Sequence, residues 1–188
     1  MSENRRNTME NRRRRRPESG ALGRRTAVCG VLTSLALALS YVEALVPASG
    51  TLPGIKLGLA NIVTLIAIYL LGPANALVIV VCRCFLGSLF GGGFTSLMFS
   101  ITGGILSLTV MSLARKLPCF SIYGVSILGA AAHNIGQICM AVLLMQSPYV
   151  AAYLPYLLLV ALFTGFATAK AGAGTLRALT AKNFPFVS

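Results

Sequence analysis

Apolar residues occur along this chain in six long runs, separated by short segments that contain proline or glycine. A helix needs about 20 residues to cross a hydrocarbon core of ~30 Å, and the runs are close to that length. Proline and glycine in the intervening segments indicate where the helices stop. The pattern predicts six transmembrane helices, over residues 26–46, 55–71, 74–90, 94–114, 120–145 and 151–169.

Composition supports the same class of protein. Hydrophobic residues make up 56% of the 188 residues and charged residues only 11%, whereas a soluble domain carries roughly 25% charged residues. We therefore predict an all-α, multi-pass protein of the cell membrane, whose solvent is the lipid bilayer. Residues 26–170 form its membrane domain, 1–25 a disordered arginine-rich arm and 171–188 a short tail.

The positions of arginine and lysine predict the orientation, because cationic segments stay in the cytoplasm. Nine arginines precede Thr26, and further cations follow the fourth and sixth runs. Six crossings place these clusters on one side, so both termini are predicted to be cytoplasmic. We interpret the arginine run as a segment that fixes the membrane orientation and attracts anionic lipid, rather than as a nucleic-acid-binding segment. An arm without a special role is the alternative. The first run is too long for a usual signal peptide, so we expect that it is not cleaved from the protein.

Several chemistries are disfavoured by what the sequence lacks. The chain has no aspartate, and its acids are Glu3, Glu10, Glu18 and Glu43, so a magnesium-diphosphate site of prenyl-transfer enzymes cannot be built. It also lacks an ATP-binding P-loop, and its single histidine excludes a repeated metal-ligand spacing. We predict a protein that is not an enzyme and has no cofactor or metal. The five cysteines are interpreted as small packing residues.

Four ionisable residues lie within the predicted spans, at Glu43, Lys56, Arg83 and His133. Such groups cost about 2.5–3.5 kcal/mol each to insert and usually face a cavity or a partner. We therefore predict a substrate-binding pocket that opens to the outside of the cell. At ~100° per residue, His133 lies on the same helix face as two amide side chains, Asn134 and Gln137.

Each assignment has a structural alternative. Lys56 can extend towards the outer headgroups, and Glu43 can pair with Lys56 across the first hairpin. The stripe around His133 can serve interhelical hydrogen bonding instead of ligand contact. Asn61 can add an amide to the pocket, although it lies about 140° around a helix from Lys56, so both cannot point squarely inward.

Small residues at a spacing of four form two ridges on the first predicted helix. One ridge is Gly30, Ser34 and Ala38, and the other is Ala36, Ser40 and Ala44. Such ridges let helix backbones approach closely, either within the chain or against a partner membrane protein. Gly103 and Gly104 likewise suggest close helix contact or a movable hairpin.

Four segments together resemble a known bacterial family. They are PGIKLGLANIVTL (Pro53 to Leu65), the arginine of CRCFLGSLFGGGF (Cys82 to Phe94), SITGGILSLTVM (Ser100 to Met111) and AAHNIGQ (Ala131 to Gln137). Over roughly Thr26 to Ala169 the chain is similar to the family labelled heptaprenyl diphosphate synthase component I, also called Gx transporter.

The resemblance implies a six-helix bundle akin to the S components of energy-coupling factor (ECF) transporters. Those proteins capture a small molecule outside the cell and associate with a membrane coupling protein and two ATPases. It also implies that the ligand-binding positions are those that match the family's motifs, and that the first-helix ridges meet the coupling protein. The matching positions are Lys56, Asn61, Arg83, His133, Asn134 and Gln137.

Two functional hypotheses follow. The first is a noncatalytic substrate-binding subunit for uptake of a small anionic or amphipathic metabolite. The second is an accessory subunit or scaffold for prenyl diphosphate, isoprenoid or quinone synthesis, or for flavin-linked electron transfer. Stand-alone secondary transport is disfavoured, because Glu43 is the single carboxylate near the membrane and no inverted repeat is evident.

Overall fold

The computed structural model describes residues 2–45 and 58–182, with the side chains in these ranges other than those of residues 2–21, 44, 91 and 92. The described part is helical and contains no strand. Its helices, in chain order, are α1 (Ser2–Leu45), α2 (Asn61–Leu71), α3 (Pro73–Gly87), α4 (Gly93–Ala114), α5 (Ile122–Met145) and α6 (Leu154–Ala181). A π-helical turn, Ser88–Gly92, joins α3 to α4, and a 3₁₀ turn, Pro148–Tyr153, precedes α6.

Five helical segments of the described chain are long and apolar enough to cross a membrane. These are Leu22–Glu43, Pro73–Phe90, Gly93–Ala114, Ile122–Met145 and Pro148–Ala181. The protein is therefore a multi-pass membrane protein. The second predicted span, residues 55–71, is not confirmed, because α2 has 11 residues and reaches only ~16 Å.

The short helix α2 lies inside the bundle. Eight of its 11 residues are buried, and Val63, Leu65 and Ile68 are completely enclosed. It ends at Gly72, whose φ of 84° suits a residue without a side chain, and Pro73 starts α3 at once. The guanidinium of Arg115 donates a hydrogen bond to the Ile68 carbonyl in the last turn of α2. That contact places a cation at the negative end of the helix dipole.

Helices α4 and α5 pack with their backbones in close contact. A Cβ added at Gly136 would lie 2.9 Å from the Cα of Gly103 and 2.9 Å from the carbonyl oxygen of Thr102. Gly165 of α6 meets the backbone of Ile127 in the same way. The predicted role of Gly103 in close helix contact is confirmed, and its partner is Gly136 of α5.

Two predicted boundaries differ from the helix ends. Helix α1 begins at Ser2, within the segment predicted to be a disordered arm, and α6 continues to Ala181, beyond residue 170. The division into arm, membrane domain and tail stays a prediction, as does the placement of both termini in the cytoplasm. Lys56 falls outside the described residues.

Gly136→Ala is expected to destabilise the bundle by about 1–3 kcal/mol, because the methyl group would meet rigid backbone rather than a flexible side chain. Thermal unfolding in detergent measures the effect. Gly174→Ala is the control, since nothing lies within 4 Å of the added Cβ there. Equal unfolding temperatures for the two variants would show that α4 and α5 are not held at this contact.

Candidate functional site

Three of the predicted site residues line one small cavity. Glu43 reaches it from α1, Arg83 from α3 and His133 from α5. The cavity has a volume of about 20 Å³, which holds one water-sized group. Its remaining lining residues are Ser40, Gly58, Cys84, Gly87 and Ser100. The cavity lies at the end of the bundle where α1 ends and α2 begins.

Glu43 is held by the turn that leads into α2. The backbone N–H of Gly58 donates to Oε1 of Glu43, which is 4% exposed. Gly58 has a φ of 85°, and a Cβ there would lie 2.9 Å from Nδ2 of Asn61 and 3.2 Å from Cδ2 of His133. Both the backbone conformation and the space therefore require glycine. Among the described side chains, this is the carboxylate that lines the cavity, and the turn holds it in place.

The imidazole of His133 lies between two glycines. A Cβ at Gly103 of α4 would be 2.9 Å from its Cε1 and Nδ1 atoms, and the Gly58 turn lies near its Cδ2. Nε2 of His133 is 3.1 Å from Nε2 of Gln137, one helical turn further along α5. Because an amide nitrogen donates, this contact leaves the histidine Nε2 as the acceptor. His133 and Gln137 are therefore brought together as predicted.

Arg83 is the most exceptional side chain of the site. It is only 6% exposed, and its Nε and Nη2 atoms have no hydrogen-bond partner among the described residues. Nη2 lies beside Gly104 of α4, at 3.4 Å from the position that a Cβ would occupy. Buried guanidinium groups are normally paired, so an edge without a protein partner indicates a place for a ligand or ordered water.

Asn61 is buried at the first position of α2, and its side-chain amide has no hydrogen-bond partner among the described residues. Its Nδ2 lies next to Gly58, close to the cavity. Helix α2 begins at Asn61, after the turn at Gly58, and the predicted angle between Asn61 and Lys56 stays a prediction because Lys56 lies outside the described residues.

Asn134 is turned away from the cavity. Its Nδ2 donates to the carbonyl of Leu157 in α6 at 2.8 Å, and the side chain is 1% exposed. The predicted stripe on α5 is therefore divided, because His133 lies at the cavity whereas Asn134 binds a neighbouring helix. Its hydrogen bond is the interhelical alternative that the sequence left open.

The two small-residue ridges of α1 differ in their burial. Gly30, Ser34 and Ala38 are exposed. In the second ridge, Ala36 is completely buried and Ser40 lines the cavity, whereas the side chain of Ala44 lies outside the described set. The second ridge is therefore packed within the chain, and a docking role stays a prediction for the first ridge.

Sequence reasoning missed five cavity residues as members of the site, namely Ser40, Gly58, Cys84, Gly87 and Ser100. Ser40 follows the pattern of a packing ridge, yet its spacing of three from Glu43 places both on one face of α1. Within the described side chains, no three histidine, cysteine or carboxylate groups lie close enough to hold a metal ion.

The fold and the cavity define a helical, multi-pass membrane protein with a buried polar site. A family model described as heptaprenyl diphosphate synthase component I matches residues 32–174, which is more than half of the chain. The chain belongs to this family, as the resemblance of its motifs predicted. No curated protein and no solved structure gives a significant match.

Asn134→Ala is expected to lower stability by about 1 kcal/mol, because the Leu157 carbonyl loses its donor inside the bundle. Thermal unfolding in detergent measures the loss, and the neighbouring Ile135→Ala, at a partly exposed position, is the comparison. Unchanged stability in Asn134→Ala would contradict the packing role assigned to this amide.

Proposed function

We propose that the chain is the noncatalytic substrate-binding subunit of an uptake system for a small anionic or amphipathic metabolite, akin to an ECF S component. The observation that carries this proposal is the meeting of Glu43, Arg83 and His133 at one cavity. Three separate helices supply these residues. Because each such group is costly in a membrane, their convergence favours a ligand site over unrelated packing solutions.

The state of Arg83 supports an anionic ligand. A guanidinium whose Nε and Nη2 lack partners among the described residues has unused hydrogen-bonding capacity and positive charge in a medium of low dielectric. An oxyanion would accept the hydrogen bonds and neutralise the positive charge. Asn61 offers a further amide without a partner among the described residues, and Gly58 holds it close to His133.

The size of the cavity implies that binding is accompanied by movement. Small-molecule sites usually enclose about 300–1,000 Å³, far more than the 20 Å³ found here. The described state then corresponds to a closed site, and loading requires at least one wall to move. A capture protein that alternates between open and closed sites meets this requirement.

The proposal assigns energy coupling to other chains, a membrane coupling protein and two ATPases. The exposed ridge of Gly30, Ser34 and Ala38 on α1 supports such docking, because small residues allow a partner helix to approach closely. The Lys and Arg distribution supports cytoplasmic termini and hence a cavity that faces outward.

Arg83→Met is expected to abolish ligand retention and, at the same time, to stabilise the protein by about 1–3 kcal/mol. Methionine fills similar space without a buried charge that lacks partners, so the stability change is opposite to that of an ordinary core mutation. Mass spectrometry of small molecules carried by the purified protein, together with thermal unfolding, measures both effects.

Arg177→Met, at an exposed position of α6, is the matched control and should retain the ligand. His133→Ala is expected to weaken retention as well, since the imidazole lines the same cavity. Full retention by both Arg83→Met and His133→Ala would remove the cavity from the proposed function.

The family description supports a second candidate, an accessory membrane subunit of a prenyl diphosphate synthase. The absence of aspartate in the sequence fits a component that leaves the catalysis to a partner. In this candidate the cavity would bind part of a product or a lipid rather than an imported nutrient.

Copurification from the native membrane separates the two candidates. The uptake role predicts a coupling protein and two ATPases bound to the tagged chain, and their loss when Ser34→Leu and Ala38→Leu cover the exposed ridge of α1. Leu162→Ala, on the exposed face of α6, is the control. Recovery of a soluble prenyl synthase without ATPases would favour the accessory role instead.

A further inference from the structure

We propose that one edge of Arg83, formed by Nε–H and Nη2–H, binds a single carboxylate group of the ligand through two parallel hydrogen bonds. The inference rests on the proposed function and specifies the chemical class of the group that is recognised. It rests on the identity of the two nitrogen atoms, Nε and Nη2, that lack a hydrogen-bond partner among the described residues.

The two atoms belong to the same edge of the guanidinium. Nε–H and the nearer N–H of Nη2 lie in the guanidinium plane and point in the same direction, which is the fork that receives both oxygens of a carboxylate. Two adjacent N–H groups without a partner match the two oxygens of a planar carboxylate, and a water that satisfies them in the closed state would be displaced by it.

Helix α4 lies directly beside this edge, whose two nitrogens are enclosed by protein in the closed state of the cavity. Nη2 lies beside Gly104, where a side-chain methyl group would stand 3.4 Å from the nitrogen and 2.9 Å from Cγ1 of Val80. Any larger residue at position 104 would contact the guanidinium and occupy space next to its free edge. Gly104 therefore acts as a positioning residue for the ligand.

The charge of the cavity selects a monoanion. Glu43 lines the same cavity as Arg83, and its Oε1 accepts the N–H of Gly58. The opposite charges of Arg83 and Glu43 offset each other, so a carboxylate ligand leaves one uncompensated negative charge in the cavity and a phosphate dianion leaves two, and uncompensated charge is costly where water is scarce. His133 and Cys84 are the other titratable groups in the lining. Carboxylate is therefore favoured over phosphate.

Because the closed cavity of 20 Å³ holds only one water-sized group, the ligands to use are those that need the least widening, namely acetate, acetamide and inorganic phosphate. Saturation-transfer NMR on the purified full chain, at constant ionic strength, compares the methyl signals of acetate and its neutral isostere acetamide. Transfer to acetate alone is expected, with inorganic phosphate a weak competitor. Equal transfer to acetamide, or phosphate displacing acetate at lower concentration than acetate itself, would overturn the inference.

Arg83→Lys retains the charge but lacks the fork, so acetate affinity should fall at least about tenfold. Arg177→Lys is the control, and Gly104→Ala should weaken acetate binding without changing its preference over acetamide. Undiminished acetate binding in Arg83→Lys would overturn the two-bond geometry. The wild-type comparison of acetate with acetamide keeps the test valid if a variant fails to fold.

The outcome separates this inference from the proposed function. If ligand retention requires Arg83 but acetamide binds as well as acetate, the uptake role stands and the carboxylate assignment fails. If acetate binds through Arg83 but the purified protein retains no metabolite and has no ATPase partners, the assignment stands and the uptake role fails.

Discussion

Burial of one guanidinium within an apolar helix bundle is the constraint around which this structure is arranged. Arg83 lies in α3, is almost completely enclosed, and has two N–H-bearing nitrogens without a partner among the described residues. Leaving a buried charged donor without an acceptor costs more than an ordinary hydrogen bond contributes. In the proposed uptake role, the free energy that the fold forgoes here would be recovered when an acceptor enters the cavity, so a destabilising feature would become a source of ligand affinity.

Glycine is the means by which the bundle accommodates its polar groups. Gly104 leaves room beside Arg83, Gly103 beside His133, and Gly58 beside Asn61 and His133. Gly103 also meets Gly136 across the contact between α4 and α5. The same small residues that bring helices together therefore set the shape of the cavity. A methyl group at any of these places changes both packing and site geometry.

The sequence was sufficient to predict the class of fold and the meeting of Glu43, Arg83 and His133, because membrane insertion penalises each of them unless they are gathered. It did not separate Asn134 from His133, since a helical wheel gives angles but not which neighbour lies at each angle. The start of α2 was placed six residues early, at position 55 instead of Asn61. Apolar content continues through the Gly58 turn, so hydrophobicity alone carried no signal of the helix boundary.

Movement of the cavity walls is constrained unequally. The wall made by α4 and α5 is fixed by backbone contact at Gly103 and Gly136, which leaves little room for displacement. Helix α1 supplies Ser40 and Glu43, and the hydrogen bond from Gly58 links its end to α2. In the proposed uptake role, widening the cavity therefore begins with release of the Glu43 carboxylate from the Gly58 turn.

The two faces of α1 connect this movement to the proposed partner. Ala36 and Ser40 face the interior of the bundle, whereas Ser34 and Ala38, on the same helical turns, are exposed. A helix is stiff over a few residues, so a displacement of the exposed ridge also moves Glu43, which lies less than two turns beyond Ala38. Coupling between partner docking and ligand release then needs no long pathway, because both sites bias the position of a single element.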